Sequence, residues 1–296
     1  MATLLESALK ETQAHLEAVL DQLLPQPQGP EARVAEAMRY ATLGGGKRIR
    51  AFLTLQSGRL FGVDRRALSR TAAALECVHA YSLVHDDLPA MDDDDMRRGR
   101  PTTHKKFDEA TAILAGDALL THAFQLLAEP ETHPDPHVRA ELCLRLAQAS
   151  GAGGMVGGQM IDMACENLTP DMATITRLQR MKTGALIVFA AEAGAIMGRA
   201  SQQQRHALTF YAQDLGLAFQ MVDDLLDETG SAGETGKAVG KDATRGKATF
   251  VAALGLERTR AQAEALAHQA PGHLAEFDGR ADLLRALPAY VLARKG

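Results

Sequence analysis

The sequence predicts an all-α fold for its 296 residues, and three observations support this. Apolar residues recur on a helical period in most long stretches, as at Leu53, Leu60 and Phe61. Strong helix formers such as Ala, Leu, Met, Gln and Glu are abundant, and alternating strand patterns are scarce. Pro and Gly cluster at residues 25–30, 130–136, 230–246 and 271–272, where they separate helices and not domains. We therefore expect a single all-α domain over residues 1–296.

Composition limits the possible classes of function. The hydrophobic fraction is 46% and the charged fraction 23%, which is typical of a globular protein with a substantial core. The net charge of -5 provides no general attraction to nucleic acid, so no nucleic-acid partner is expected. The cysteines, Cys77, Cys143 and Cys165, are odd in number and lack metal-type spacing, which favours a reducing compartment and a cytoplasmic location.

The N-terminal residues 1–20 alternate charged and apolar positions on a helical period, which predicts an amphipathic surface helix and not a signal peptide. No apolar run approaches the roughly 20 residues that a membrane span needs. We therefore expect a soluble protein without a membrane span.

The first acidic cluster follows an apolar helical segment and contains Asp86, Asp87 and Asp92. Asp86 and Asp92 are six residues apart, so they do not share a face of a straight helix. Pro89 removes a backbone donor and disfavours helical geometry at Leu88, which allows the chain to loop and bring Asp92 back. For residues 92–95 taken alone, a solvated acidic loop is an equal alternative.

The second acidic cluster also follows an apolar helical segment. Asp223 and Asp227 are four residues apart, one turn along the same helix face, where their carboxylates can share a cation. Carboxylate oxygens are hard ligands, and Mg²⁺ commonly completes its octahedron with water and substrate phosphate. The two clusters together predict a site for Mg²⁺ and a phosphate-bearing substrate.

Basic residues accompany the acidic clusters. Three glycines precede Lys47, Arg48 and Arg50, which suits a diphosphate because glycine permits close approach and arginine binds phosphate oxygens in a fork. The segment lacks P-loop spacing, so an ATPase is not supported, and a glycine-rich turn with surface cations is the alternative. His79 lies two helical turns before Asp86, where an ordinary packing role is the alternative. Further candidate cations follow along the chain: Arg97, Arg98, Lys182, Lys237, Lys241 and Lys247.

These motifs resemble the all-trans polyprenyl diphosphate synthase family, most closely its bacterial farnesyl diphosphate synthases. The DDxxxxD motif is Asp86, Asp87 and Asp92, and the DDxxD motif is Asp223, Asp224 and Asp227. The glycine-lysine-arginine motif, residues 158–162, the Lys182-Thr183 pair and Phe219-Gln220 follow in the expected order. The resemblance spans nearly the whole chain. It implies the isoprenoid synthase fold, with helices surrounding a central active-site cavity, and a homodimer.

The resemblance also implies a role for each matching residue. Metal ligands would be Asp86, Asp87, Asp92, Asp223 and Asp227, with three Mg²⁺ ions per site and Mn²⁺ as a substitute. Isopentenyl diphosphate would be held by Lys47, Arg50, His79 and Arg98. The allylic diphosphate or its leaving group would contact Arg97, Lys182, Thr183, Gln220, Lys237 and Lys247. The C-terminal Arg294 and Lys295 are expected to form a solvated tail, with closure over a diphosphate as the alternative.

Product length depends on what lies below Asp86. Ser82 is one turn deeper on the same face, and Tyr81 beside it can form a floor, although a hydrogen-bonded core aromatic is the alternative. In similar enzymes, an aromatic at this position together with the Pro89-containing insertion accompanies C15 products. The expected reaction is the condensation of isopentenyl diphosphate with dimethylallyl or geranyl diphosphate to farnesyl diphosphate. A C20 geranylgeranyl diphosphate synthase is the nearest alternative, followed by a terpene cyclase or a non-catalytic prenyl synthase subunit.

Overall fold

In the computed structural model, residues 2–166, 168, 170–229 and 248–294 are described, and helices make up most of them. The N-terminal helices are α1 Ala2–Leu23, α2 Ala32–Thr42, α3 Ile49–Leu60 and α4 Arg65–Asp86. A two-residue hairpin of β1 Met96–Arg97 and β2 Arg100–Pro101 precedes α5 Thr103–Lys106, α6 Glu109–Ala128, α7 Pro136–Ser150 and α8 Met155–Ala164. The prediction of an all-α protein is confirmed.

The second half of the chain continues the helical pattern. It contains α9 Met172–Gln179, a π-helix Arg180–Gly184, α10 Ala185–Met197 and α11 Gln202–Thr229. After residue 247 follow α12 Phe250–Leu254, α13 Leu256–Gln269, the 3₁₀ turns Ala270–Leu274 and Gly279–Ala281, and α14 Asp282–Leu292. Lys237, Lys241, Lys247 and Lys295 lie outside the described residues.

Aspartates begin many of these helices. Asp64, Asp108, Asp135 and Asp171 each accept a backbone N–H from the first turn of the helix that follows, at α4, α6, α7 and α9. This is the preferred N-cap arrangement, because the side chain satisfies one of the N–H groups that lack a partner within the helix. Pro25 and Pro130 lie just beyond the ends of α1 and α6, where they cannot continue a helix.

Helix α4 is buried along most of its length and packs between α3 and α6. Helix α10 packs against α3, α7 and α11 on the other side of α3. One hydrophobic cluster of buried residues extends from Leu5 to Val291 and includes Leu75 of α4, Phe189 of α10 and Leu215 of α11. Burying each such side chain contributes about 1.5–3 kcal/mol, so the helices that carry the acidic motifs are anchored in the core.

A buried ion network joins α1, α3 and α4. The Arg48 guanidinium donates to Glu76 at 2.7 Å, to Glu17 at 3.0 Å and to the Thr42 carbonyl at 2.6 Å. The side chains of Arg48 and Glu76 are each only 3% exposed. Arg48 is therefore a structural residue. The expectation that Lys47, Arg48 and Arg50 would all serve a diphosphate is wrong for Arg48.

Helix α6 is the one described helix that is long and apolar enough to cross a membrane by length and composition alone. The expectation that no apolar run approaches the length of a membrane span is therefore wrong for α6. Its buried face packs against α2, α4, α5 and α7, as the core helix of a globular domain does. Such a helix is weak evidence for a membrane span.

The Arg48 network predicts that removing each of its two carboxylates lowers the free energy of unfolding by a different amount. Glu76→Ala leaves a buried guanidinium without its buried partner, so we expect the free energy of unfolding to fall by about 3–5 kcal/mol. Glu17→Ala removes the more exposed partner, and we expect a loss of about 1 kcal/mol or less. Urea denaturation at fixed protein concentration measures both values, and equal losses would contradict the structural role of the Arg48–Glu76 pair.

Candidate active site

The first acidic motif lies where α4 ends. The helix stops at Asp86, and the Met91 N–H donates to the Leu88 carbonyl at 2.9 Å, which closes a turn around Pro89. The Asp92 N–H then donates to the Asp86 carbonyl at 2.8 Å. The chain therefore loops back as the position of Pro89 predicted, and it brings the backbone of Asp92 against that of Asp86.

The two adjacent aspartates at the end of α4 have different surroundings. Asp86 is half-buried, and its Oδ1 accepts from Gln159 Nε2 at 2.6 Å. Asp87 is 3% exposed and is paired with Arg97, whose Nη2 lies 2.6 Å from Oδ1 and whose Nε donates at 2.8 Å. Asp87 was predicted to bind metal and Arg97 to bind diphosphate. In this structure the two side chains bind each other.

The second acidic motif lies within α11, near its C-terminal end. Asp223 and Asp227 are half-buried and one turn apart on this helix, as their spacing predicted. Asp224 is buried, and its Oδ2 accepts the Phe250 N–H at 2.7 Å, which holds the start of α12. The middle aspartate of the motif is therefore structural, while the outer two occupy the exposed side of the helix.

Arg294 reaches the second motif from the C-terminus. Its Nη1 lies 3.2 Å from Asp223 Oδ1, and its guanidinium lies 4.5 Å from the centre of the Phe219 ring. The Arg294 side chain is 11% exposed, so the expectation of a solvated tail is wrong for this residue. Partial desolvation and the Arg294 cation lower the pKa of Lys47, while Asp223 opposes them, so Lys47 belongs to the same charged group.

A second basic group surrounds His79. Arg50 Nη1 lies 3.5 Å from His79 Nε2, and Arg50 Nε is buried with no hydrogen-bond partner among the described residues. Burial, followed by the nearby Arg50 and Arg98 cations, lowers the pKa of His79 well below its ordinary value. Neutral His79 among cations leaves a positive potential that favours a diphosphate.

Arg98 is fixed by the glycine loop. Its Nη1 donates to the Gly45 carbonyl at 2.7 Å. Gly46 has φ of +119°, a backbone conformation that favours glycine, and a Cβ there would lie 2.9 Å from Arg98 Nη1. The glycines therefore position an arginine as well as permitting close approach to a ligand.

The π-helix Arg180–Gly184 carries Lys182 and Thr183, and wide turns of this kind occur often at functional sites. Lys182 Nζ lies 2.6 Å from Asp162 Oδ2 on α8. A Cβ on Gly158 would lie 2.2 Å from the Lys182 backbone nitrogen, so glycine is required for α8 to approach this closely. Residues 158–162 thus place Gln159 against Asp86 and Asp162 against Lys182, contacts that the motif alone did not specify.

A cavity of about 470 Å³ brings many of the predicted site residues together. Its polar part is lined by Arg50, His79, Asp86, Gln159, Lys182 and Thr183. Its apolar part is lined by Leu88, Met91, Met155, Val156, Met160 and Met163, and the predicted chain-length residues Tyr81 and Ser82 line the same cavity. A charged group and an apolar chain of one substrate fit side by side here.

Other predicted residues lie outside this cavity. Asp87, Arg97 and Arg98 line a separate small pocket beside Tyr40. Gln220 lies on α11, where its Nε2 donates to Gln179 Oε1 at 3.0 Å.

Comparison with known proteins identifies the family. The family model described as polyprenyl synthetase matches residues 31–278, which is most of the chain. This protein belongs to the polyprenyl synthetase family.

The relatives of this synthase include proteins named as farnesyl diphosphate synthases and proteins named as geranylgeranyl pyrophosphate synthases. Farnesyl diphosphate synthase of Escherichia coli is 46% identical over 88% of the chain and 89% of its own length. Geranylgeranyl pyrophosphate synthase 11 of Arabidopsis thaliana is 44% identical over 88% of the chain and 74% of its own length. An apo crystal structure of an FPP/GFPP synthase from Zymomonas mobilis superimposes with a TM-score of 0.90, at 49% identity, over 99% of this chain and 100% of that one. The prediction of the isoprenoid synthase fold is confirmed.

The synthase has a donor set that fits a hard divalent cation. The half-buried carboxylates of Asp86, Asp92, Asp223 and Asp227 offer only oxygen ligands. Mg²⁺ prefers such ligands and retains positions for water and substrate phosphate. These residues therefore fit the metal that the resemblance implies.

The depressed pKa of His79 predicts a pH effect on stability. Because the unfolded chain protonates His79 near the ordinary histidine value of 6.5 and the folded chain only at lower pH, stability falls as pH drops through this range. We expect wild-type stability to fall more steeply between pH 7.5 and 5.5 than that of His79→Gln, by up to about 1.4 kcal/mol per pH unit. Urea titrations at each pH measure the slopes, with exposed His206→Gln as the surface-histidine control. Identical slopes for wild type and His79→Gln would contradict a His79 that is neutral in the folded chain.

Proposed function

We infer that this chain is a short-chain trans-prenyltransferase that condenses isopentenyl diphosphate with dimethylallyl or geranyl diphosphate to make farnesyl diphosphate, with release of diphosphate. The observation that carries this inference is the cavity in which Asp86, Arg50, His79 and Lys182 meet an apolar pocket. The 46% identity to a farnesyl diphosphate synthase supports the same reaction.

The reaction begins when the allylic C–O bond ionises and the electron pair leaves with the diphosphate. Lys182 and Thr183 border the cavity where that charge grows, and fixed donors there lower the barrier because they need no reorganisation. The double bond of isopentenyl diphosphate, oriented by Arg50 and neutral His79, attacks the allylic carbocation. A proton is then lost from the new chain to the released diphosphate, so no covalent enzyme intermediate is required.

Mg²⁺ would be held by Asp86, Asp92, Asp223 and Asp227, and it would supply Lewis-acid stabilisation of the departing diphosphate. We propose three ions per site, with Mn²⁺ able to replace them because it accepts the same oxygen ligands. Asp87 has a different task, since it neutralises and positions Arg97. Arg294 Nη1 lies 3.2 Å from Asp223 Oδ1, so this cation stands beside one of the carboxylates that would hold the metal.

Removing the proposed metal ligands should abolish turnover. Asp86→Ala and Asp223→Ala each remove one carboxylate from the hard donor set, and we expect the rate of product formation to fall about 10²-fold or more. The measurement is incorporation of labelled isopentenyl diphosphate at several Mg²⁺ concentrations. Glu131→Ala, an exposed carboxylate far from the motifs in sequence, is the matched control. Undiminished turnover with unchanged Mg²⁺ dependence in both variants would contradict the proposed site.

Product length is proposed to be set by Tyr81. Its ring lines the cavity and packs edge-on against His85, with ring centres 5.1 Å apart, while Ser82 lies beside it. A rigid aromatic at this position favours the C15 product. The second candidate is a geranylgeranyl diphosphate synthase, which is favoured by the 44% identity to the Arabidopsis enzyme.

A smaller side chain should lengthen the product. We expect Tyr81→Ala, with excess isopentenyl diphosphate, to shift product from C15 toward C20 and longer chains because the cavity deepens. Tyr81→Phe keeps the ring and should retain the wild-type distribution. Chromatography of the dephosphorylated products measures the chain lengths. If wild type makes mainly C20, or if Tyr81→Ala leaves the distribution unchanged, the floor hypothesis fails.

We also propose that the synthase is a homodimer in the cytoplasm and that residues 1–296 form one domain. Ile113 and Leu114 of α6 are exposed, and a second copy would cover this apolar pair. The three cysteines are free, which suits a reducing compartment. The hydrophobic cluster that extends from Leu5 to Val291 supports one domain.

The dimer proposal gives a direct prediction. Wild type should elute with twice the 31.7 kDa chain mass by size-exclusion chromatography with light scattering. Replacing Ile113 and Leu114 by Asp should give monomers, because buried unpaired charge opposes association. Leu4→Asp, at an exposed position of α1, should stay dimeric. A monomeric wild type would reject the proposal.

A further inference from the structure

A second potential ligand cluster lies beyond the first acidic motif. Asp93 and Asp95 are exposed in the loop after Asp92, and His104 of α5 is buried, with 6% of its surface exposed. One ligand atom from each of the three side chains lies within 4.8 Å of the others. None of the three takes part in the proposed reaction, so a role for this cluster does not depend on that reaction.

One ring nitrogen of His104 has a polar neighbour. The Thr102 hydroxyl oxygen lies 3.2 Å from His104 Nδ1 and 3.4 Å from the Asp95 carbonyl oxygen. With Nδ1 donating to this hydroxyl, Nε2 carries a lone pair. This nitrogen is buried and has no hydrogen-bond partner among the described residues. A buried acceptor without a partner is unfavourable, and a Lewis acid at this position would satisfy it.

This arrangement matches the support that metal-binding histidines usually have. Such histidines donate their other ring N–H to an oxygen acceptor, which fixes the ring orientation and the tautomer. Thr102 supplies that acceptor here, and it is itself held by the backbone of Asp95. The ring and one of the two carboxylate-bearing residues are therefore tied together before any ion binds.

The charge of the cluster also favours a cation. Asp93 and Asp95 contribute two carboxylates, and Lys105 Nζ lies 2.9 Å from Asp95 Oδ1. The hydrogen bond and the charge of Asp95 raise the pKa of Lys105. One ammonium against two carboxylates leaves net negative charge. The exposed aspartate side chains can rotate inward to the metal–ligand distances of about 2.0–2.2 Å that a small dication requires.

We propose that Asp93, Asp95 and His104 bind a Zn²⁺-class first-row transition-metal dication, at a site separate from the catalytic carboxylates. Imidazole nitrogen combined with two carboxylates favours Zn²⁺ or Co²⁺ over Mg²⁺, which prefers oxygen ligands alone. The ion joins the acidic loop to α5 across the β1–β2 hairpin. That hairpin carries Arg97, so the bound ion restrains a segment at the edge of the active site.

Metal binding in saturating Mg²⁺ tests the proposal, because Mg²⁺ then occupies the catalytic carboxylates. The protein is the full chain, free of any affinity tag and stripped with a chelator. Equilibrium dialysis against Zn²⁺ should give one tightly bound ion per chain, and Co²⁺ should give visible d–d absorption typical of nitrogen and oxygen ligation. Zn²⁺ should also raise the wild-type Tm.

The variants distinguish the new site from the catalytic one. The double variant Asp93→Asn, Asp95→Asn changes only exposed side chains and should lose the bound Zn²⁺ and the Co²⁺ spectrum. His104→Gln should lose both as well, with circular dichroism reporting whether it folds. Asp86→Asn, Asp223→Asn, which removes catalytic carboxylates, and Glu131→Gln, a surface control, should retain binding.

Two results would overturn the proposal. One is the absence of a stoichiometric ion in the wild-type chain. The other is binding that persists in the Asp93, Asp95 double variant but disappears in the Asp86, Asp223 double variant, because the ion would then occupy the catalytic carboxylates.

Discussion

The site depends on one electrostatic constraint: α4, a largely buried helix packed against α3 and α6, ends on two adjacent carboxylates. Charge at the end of a core helix needs compensation, and the two carboxylates at the end of α4 find it in different partners. Asp87 turns inward to Arg97 and fastens the hairpin to the helix, while Asp86 turns to the cavity and accepts from Gln159. Because adjacent residues on a helix point about 100° apart, one aspartate can stabilise the fold while the other lines the cavity.

The sequence was sufficient for features that depend on local chemistry. Helical period and composition predicted the all-α fold, and the four-residue spacing of Asp223 and Asp227 placed both on one face of α11. Pro89 predicted the break that returns Asp92 to the end of α4. In each case the determining groups lie within a few residues of one another, so backbone geometry alone decides the outcome.

Features that depend on distant partners could not be predicted in this way. Arg48 lies between two other basic residues, yet it turns into the core because Glu76 is buried opposite it. Arg294 is near the end of the chain, yet it stacks on Phe219 beside Asp223. Motif spacing likewise cannot tell that Asp224 accepts the Phe250 N–H at the start of α12 or that Asp87 binds Arg97. The roles of these charges follow from tertiary packing, which brings together residues that are far apart in the chain.

The π-helix Arg180–Gly184 has a consequence for how this chain can change in length. It continues directly into α10, whose far side is packed on α3. Deleting one residue within the wide turn would restore ordinary α-helical hydrogen bonding but rotate everything on one side of it by about 100°. Either Lys182 would leave the cavity or α10 would present the wrong residues to the core. The extra residue thus sets the rotation of α10 relative to Lys182, and insertions or deletions should be tolerated in the loops but not here.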